Sequence, residues 1–293
     1  MPITIVFPSW VQNDEQGFNW LAQVAHQLSV LWQDTAVFDG RKLKHFKANL
    51  CAPFGALLHE AEKNGNRIEL RDVRGEVLKI WSKNDFWRQF GGVTLNDTFR
   101  TTLAYRQFPL QQNPKEFASY IRYELMSRER DLPRMSNDMR EEFARSIEEI
   151  FDNAQAHSQS ENGIFSCGQF FPSDQRISFT LTDLGVGFRH NVEQRMGMSC
   201  SDEAAIEWAT QVGHTTRADF GGYGLSYLRQ FFARNNGRMQ IVSRQGLWQL
   251  DSQSTSKIRL RHDFPGSFVN LEINTADNSF HESLAELLNE PLF

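Results

Sequence analysis

The chain opens on a β-branched run, residues 3–7, which predicts a strand. Residues 15–32 then place Phe18, Leu21, Val24, Ala25, Leu28 and Leu31 at helical spacing, the stripe of an amphipathic helix. A brief strand at 35–38 is closed by Asp39-Gly40. Residues 47–62 predict a second helix with Leu50, Phe54, Leu57, Leu58 and Ala61 on one side. Asn64-Gly65 stops it, and 67–70 returns as a strand. Residues 75–89 predict a third helix, ended by Gly91-Gly92. Strands alternating with helices over about 90 residues indicate an α/β layer.

Beyond residue 100 the pattern changes. Residues 101–108 alternate as a strand, and Pro114 in a first helical turn starts a helix over 114–129. Asp138-Met-Arg-Glu141 is a capping-box pattern that opens a longer helix, to 157. Strands are predicted at 176–182, 238–243, 256–262 and 267–273, with helices near 202–211 and 224–235. The acidic tail from Glu282 predicts a short terminal helix. Runs of helices followed by late strands indicate an α+β sandwich. The division is therefore 1–96, 97–275 and a tail, 276–293.

Composition adds few constraints. Among 293 residues there are 24 Phe against 5 Tyr and 7 Trp, which argues against disorder. A net charge of −5 argues against a dedicated nucleic-acid binder, which carries a basic face. Cys51, Cys167 and Cys200 form no C-x-x-C, so neither a disulfide framework nor a zinc site is indicated. The first ten residues lack the positive n-region of a Sec signal, and no apolar run nears about 18 residues. The expectation is a cytoplasmic protein without a membrane span.

Three short patterns carry candidate chemistry. Glu149-Ile-Phe-Asp-Asn153-Ala154 lies inside the 138–157 helix. Asp183-Leu-Gly185-Val-Gly187 follows the strand 176–182, and Gly222-Tyr-Gly224-Leu225 precedes the helix 224–235. Each is weak alone. In this order and these settings they resemble the Bergerat fold of the GHKL superfamily of gyrase, the heat-shock chaperone, histidine kinases and MutL, over about residues 98–275. The run from Phe108-Pro109 through helix 114–129 to Glu149, Asn153-Ala154 and His157 looks closest to the anti-sigma-factor serine kinases. The stretch Ala205-Ile-Glu-Trp-Ala209 to Gly213-His-Thr215-Thr216-Arg217 resembles lid segments of related ATP-binding modules. The fold class this implies is an α/β N-terminal layer plus an α+β Bergerat-fold sandwich.

The resemblance implies ATP and Mg²⁺ as cofactors. Glu149 would be the general base, Asn153 the Mg²⁺ ligand, and Asp183 the acceptor for the adenine amine. Gly185 and Gly187 would let the backbone approach the base, and Gly222, Gly224 and Leu225 would meet phosphates at a helix N-terminus. Thr215 and Thr216 belong to the lid, and Ser267 stands near the adenine-binding Asp. Residue chemistry fits these roles. Glu149, Asn153 and His157 fall at i, i+4 and i+8, one stripe beside the apolar stripe of Phe143, Ile147, Ile150, Phe151 and Ala154. A neutral Asn oxygen suits Mg²⁺, which keeps waters and phosphate oxygens as other ligands. The plain alternatives are solvated polar positions on an amphipathic helix, a strand-ending turn at Asp183, and loop glycines.

Departures from the pattern matter as well. The superfamily's lysine after the Asn is replaced by Gln155 and His157, with Arg217 and Arg229 as substitutes for phosphate or as surface residues. His59-Glu60 is the sole candidate for a phosphoacceptor box and reads as a solvated helical histidine. Residues 1–96 resemble a STAS-like layer through Ala36-Val-Phe-Asp39, Leu57-Leu58-His-Glu-Ala61 and Ile68-Glu-Leu70, but the phosphoacceptor Ser is missing from Lys47-Ala-Asn49-Leu-Cys51. A fused pseudo-partner and a generic α/β layer are equal readings. The basic, aromatic stretches 41–47 and 79–90 read as a loop with a helix start and as an amphipathic packing helix, in preference to a nucleic-acid surface.

The expected function is an ATPase or protein serine/threonine kinase-like regulator acting on a protein partner, with a homodimer allowed. The alternatives are an ATP-dependent clamp with little turnover, or one member of a bacterial toxin–antitoxin or defence pair.

Overall fold

In the computed structural model, which describes residues 2–110, 113–127, 131–214 and 223–283, three parallel strands begin the architecture. β1 (Ile3–Val6), β2 (Trp10–Val11), α1 (Glu15–Ser29), β3 (Thr35–Asp39), β4 (His45–Phe46), α2 (Cys51–Lys63), β5 (Arg67–Arg71), α3 (Gly75–Lys83) and α4 (Phe86–Gln89) follow in order. The sheet runs β1-β3-β5, all parallel, and β2 and β4 form a separate short pair. Asp14 starts α1 by accepting from the Gly17 N–H at 2.8 Å, an N-cap bond. The helix expected over 75–89 is broken in two. Asp85 takes φ of 66°, and the buried Asn84 side chain accepts from the Phe86 N–H at 3.1 Å. Trp81 and Phe86 are buried and Leu78 and Phe90 pack beside them, so this stretch serves the core.

The second half holds β6 (Thr102–Phe108), α5 (Pro114–Tyr120), α6 (Asn137–His157), β7 (Ile164–Phe171), β8 (Arg176–Asp183), α7 (Gly187–Met196), α8 (Asp202–Ala209), α9 (Gly224–Asn235), β9 (Arg238–Asp251) and β10 (Ser254–Asn274). Its five strands run β6-β7-β8-β10-β9, every neighbour antiparallel. The architecture is thus mixed, a parallel and an antiparallel sheet with helices.

Several expectations are corrected. β7 was not predicted, because both faces of IFSCGQFF are buried and the run shows no alternation. The strands expected at 256–262 and 267–273 are one strand with register shifts between Arg259 and Ser267. The strand expected at 238–243 continues to Asp251 as its hairpin partner. The helix expected over 114–129 is α-helical only to Tyr120 and then widens into a π-turn over Ile121–Leu125. Ser136, not Asp138, caps α6, accepting from the Met139 N–H. Most of the tail from Glu282 lies outside the described residues.

The expected boundary near residue 96 divides the chain but not the core. Along β8 and β10 side chains alternate, Phe179, Leu181, Val269 and Leu271 facing α5, α6 and α9 and Phe268 facing the N-terminal layer. Phe18 of α1 meets Phe268 edge-on at 5.2 Å, and α2 covers β7 and β8. A buried amide cluster lies in this junction. Asn49 Nδ2 is 2.9 Å from Asn13 Oδ1, Thr180 Oγ1 and Asn270 Oδ1. Ala48, Asn49 and Cys51 are therefore buried against the second sheet. His59 is not solvated as expected. It is packed beside Phe90, Tyr105 and Phe165, and burial pushes its pKa below the ordinary value. All three cysteines are free, and among the described residues no helix is long and apolar enough to cross a membrane.

On the other face of the antiparallel sheet, Phe143, Phe151, Phe179, Phe231 and Phe232 are buried. Phe151 of α6 stacks on Phe117 of α5 at 4.0 Å. These phenylalanines pack helices onto this sheet.

Candidate functional site

A cleft open to solvent lies between α6, the C-terminal end of β8, α7 and α8. Asp183 ends β8 opposite Ser267 of β10, and the Ser267 hydroxyl donates to Asp183 Oδ2 at 2.6 Å. Asp183 is 5% exposed, and its Oδ1 has no hydrogen-bond partner among the described residues. Burial raises its pKa to about 6, against the opposing pull of the Ser267 hydroxyl and the nearby Gly185 N–H. Both residues line the cleft.

The glycines after Asp183 are needed for packing. A side-chain carbon at Gly185 would meet the Ser158 carbonyl at 1.9 Å, so the turn is pressed against the end of α6. Gly187 has φ of +78°, a conformation that favours glycine, and a carbon there would meet Ser243 Oγ at 2.7 Å. Both glycines thus allow close approach to α6 and β9. Gly187 still borders the cleft.

α6 supplies the facing wall. Phe143, Ile147, Ile150 and Phe151 are buried, and the adjoining stripe of Glu149, Asn153 and His157 lines the cleft. The N-terminus of α9 meets this stripe, where Glu149 Oε2 accepts from the Gly224 N–H at 2.9 Å. That contact places a carboxylate on the positive end of a helix. Leu225 also lines the cleft.

The structure therefore brings Glu149, Asn153, Asp183, Gly187, Leu225 and Ser267 to one cleft, with Gly185 and Gly224 in contact with it through their neighbours. Thr215, Thr216, Arg217 and Gly222 lie outside the described residues. Arg229 is not among the residues lining the cleft. It pairs with Glu207 at 3.1 Å and bonds Thr210 Oγ1 at 3.0 Å. Gln155 donates to the Leu110 carbonyl. No Lys or Arg lines the cleft among the described residues.

No protein-family model and no curated protein matches this chain.

Phe188, Asn191, Trp208 and His214 also line the cleft, the last two from the stretch compared with lid segments. α7 was not predicted, because it buries little beyond Gly187 and Val192 and shows no apolar stripe. Asn191 Nδ2 reaches the His157 carbonyl at 3.3 Å and ties α7 to the end of α6. Chemically, the cleft offers a buried acceptor at one end, a carboxylate with a helix N-terminus at the other, and a neutral amide between them on α6.

Proposed function

We propose that the cleft binds Mg·ATP in the manner of the GHKL superfamily, and that the protein is a cytoplasmic ATP-hydrolysing or phosphoryl-transferring regulator of a protein partner. The carrying observation is Asp183. A buried carboxylate oxygen without a donor is costly unless a ligand supplies one. Asp183 lines the cleft and its Oδ1 is such an atom, for which the exocyclic amine of adenine is the fitting donor. Three free cysteines agree with a reducing compartment.

The donor set also fits magnesium bound with phosphates. Among the described residues no group of three His, Cys, Asp or Glu side chains could hold a metal by itself. Asn153 offers one neutral oxygen, which suits an ion whose remaining ligands are phosphate oxygens and waters. Bound Mg·ATP supplies the transferable phosphoryl group. Asp183 and Ser267 would orient the base, the α9 N-terminus would receive phosphate oxygens, and Glu149 would take the proton of an attacking hydroxyl or water at Oε1 or Oε2.

The Glu149–Gly224 hydrogen bond favours a second reading, an ATP-dependent clamp with little turnover, because the base is engaged by the helix that would receive phosphate. Phosphate release from ATP separates the two. The catalytic reading expects measurable turnover that falls by about 10²-fold or more in Glu149→Ala. Equal turnover in both proteins refutes Glu149 as the base. Binding of ATP with no turnover in wild type, alone or with its partner, establishes the clamp.

A further inference from the structure

One wall of the cleft is aromatic. Trp208, in the last turn of α8, and His214 both line it, their ring centroids 4.7 Å apart and tilted by 30°. His214 Nδ1 lies 2.9 Å from the Trp208 carbonyl. A carbonyl only accepts, so Nδ1 carries the proton and donates to it. The segment around Trp208 is pinned from behind. The preceding Glu207 accepts from Trp248 Nε1 at 2.6 Å and from Arg229 at 3.1 Å. Arg229 also reaches Thr210, two residues past Trp208, and lies over the Trp248 ring at 5.4 Å. α8 is thereby tied to α9 and β9 on both sides of the indole.

Trp208 is only half-buried, and it is absent from both hydrophobic cores. A large, rigid π-surface bordering a cleft is a natural stacking partner for a flat ring. Asp183, whose Oδ1 is an acceptor suited to a donor on a ring's edge, lines the same cleft, as do the apolar Leu181 and Val269.

We propose that Trp208 is the stacking platform that selects a planar, amine-bearing heteroaromatic ring for this cleft. The inference rests on the nucleotide reading above and adds the residue that grips the base independently of phosphate. Adenosine is the probe, because it has the ring and amine without phosphates.

In equilibrium titrations of the full-length protein, Trp208→Ala is expected to weaken adenosine binding about tenfold or more, the usual size of one lost base stack. Trp208→Phe retains a stacking face and stays within about threefold of wild type. Adenosine quenches indole emission in wild type, and that quench is missing in Trp208→Phe, a change that a purely structural role for Trp208 does not produce. Binding by Trp208→Ala equal to wild type, or an unchanged quench in Trp208→Phe, overturns the proposal. If wild type binds Mg·ATP but no adenosine, the platform falls and the nucleotide reading survives; if it binds neither, both fall. If Asp183→Asn abolishes binding while Trp208→Ala leaves it intact, the nucleotide reading survives and the stacking platform does not.

Discussion

Asp183 is a carboxylate whose charge is disfavoured by the fold that holds it. Its pKa rises from 3.8 to about 6 through burial. At about 1.4 kcal/mol per unit, the ionised form costs the folded state about 3 kcal/mol. Between these two values the folded protein keeps a proton that the unfolded chain has lost, so stability falls as pH rises across the interval. Above about 6 the cost is complete, and below the ordinary carboxylate value it vanishes. Asp183→Asn removes the charge and leaves an acceptor for Ser267. The variant is expected to melt a few degrees higher than wild type at about pH 7.5 and to lose that advantage near pH 4, as calorimetric melts at both pH values will report. Gaining stability while losing a ligand is the behaviour of a site residue. Ligand affinity in wild type is expected to decline as pH falls through about 6, because a protonated Oδ1 donates where it must accept. Ser267→Ala removes the hydroxyl that opposes the pKa rise, so the midpoint of that decline moves to higher pH.

At the scale of elements, what could be read from the sequence depended on whether one face was wet. α6 was readable almost to the residue, since Phe143, Ile147, Ile150 and Phe151 form one buried stripe beside a half-buried polar one. The motif residues on it, Glu149 and Asn153, reach the cleft for the same reason. β7 was hidden because the N-terminal layer buries the face that would otherwise have been polar, leaving a continuous buried run. The split of β10 into two predicted strands followed Pro265-Gly266, which the structure absorbs as register shifts within one strand. The pairing of Arg229 was not legible, because its partner, Glu207, lies 22 positions away on another helix. That pairing gives a test at this scale. Glu207→Ala leaves the Nε1 of fully buried Trp248 without its acceptor, at a cost of about 1–3 kcal/mol. Hydrogen exchange is expected to quicken across α8 while α6 keeps its protection.

For the whole molecule, the consequential feature is the shared core. Phe18, Phe54 and Trp81 from the first half lie in one cluster with Phe165, Val242 and Phe268 from the second, and the Asn49 cluster adds a buried polar junction. Buried amides of this kind are costly unless their partners are kept, so the layers hold one another in register. Chemical unfolding is therefore expected to be one transition by both far-UV dichroism and tryptophan fluorescence. Phe268→Ala should lower the midpoint of both probes together, by about 3–5 kcal/mol in stability. A first transition confined to residues 1–96 would contradict this. The sheet so covered on one side carries Asp183 and Ser267 on the other, and the central claim is that these residues seat a nucleotide. Isothermal titration of Mg·ATP into wild type and Asp183→Asn tests it most directly. A single site of micromolar or tighter affinity, lost in the variant, is the predicted result; equal binding by both proteins, or none by wild type, contradicts it.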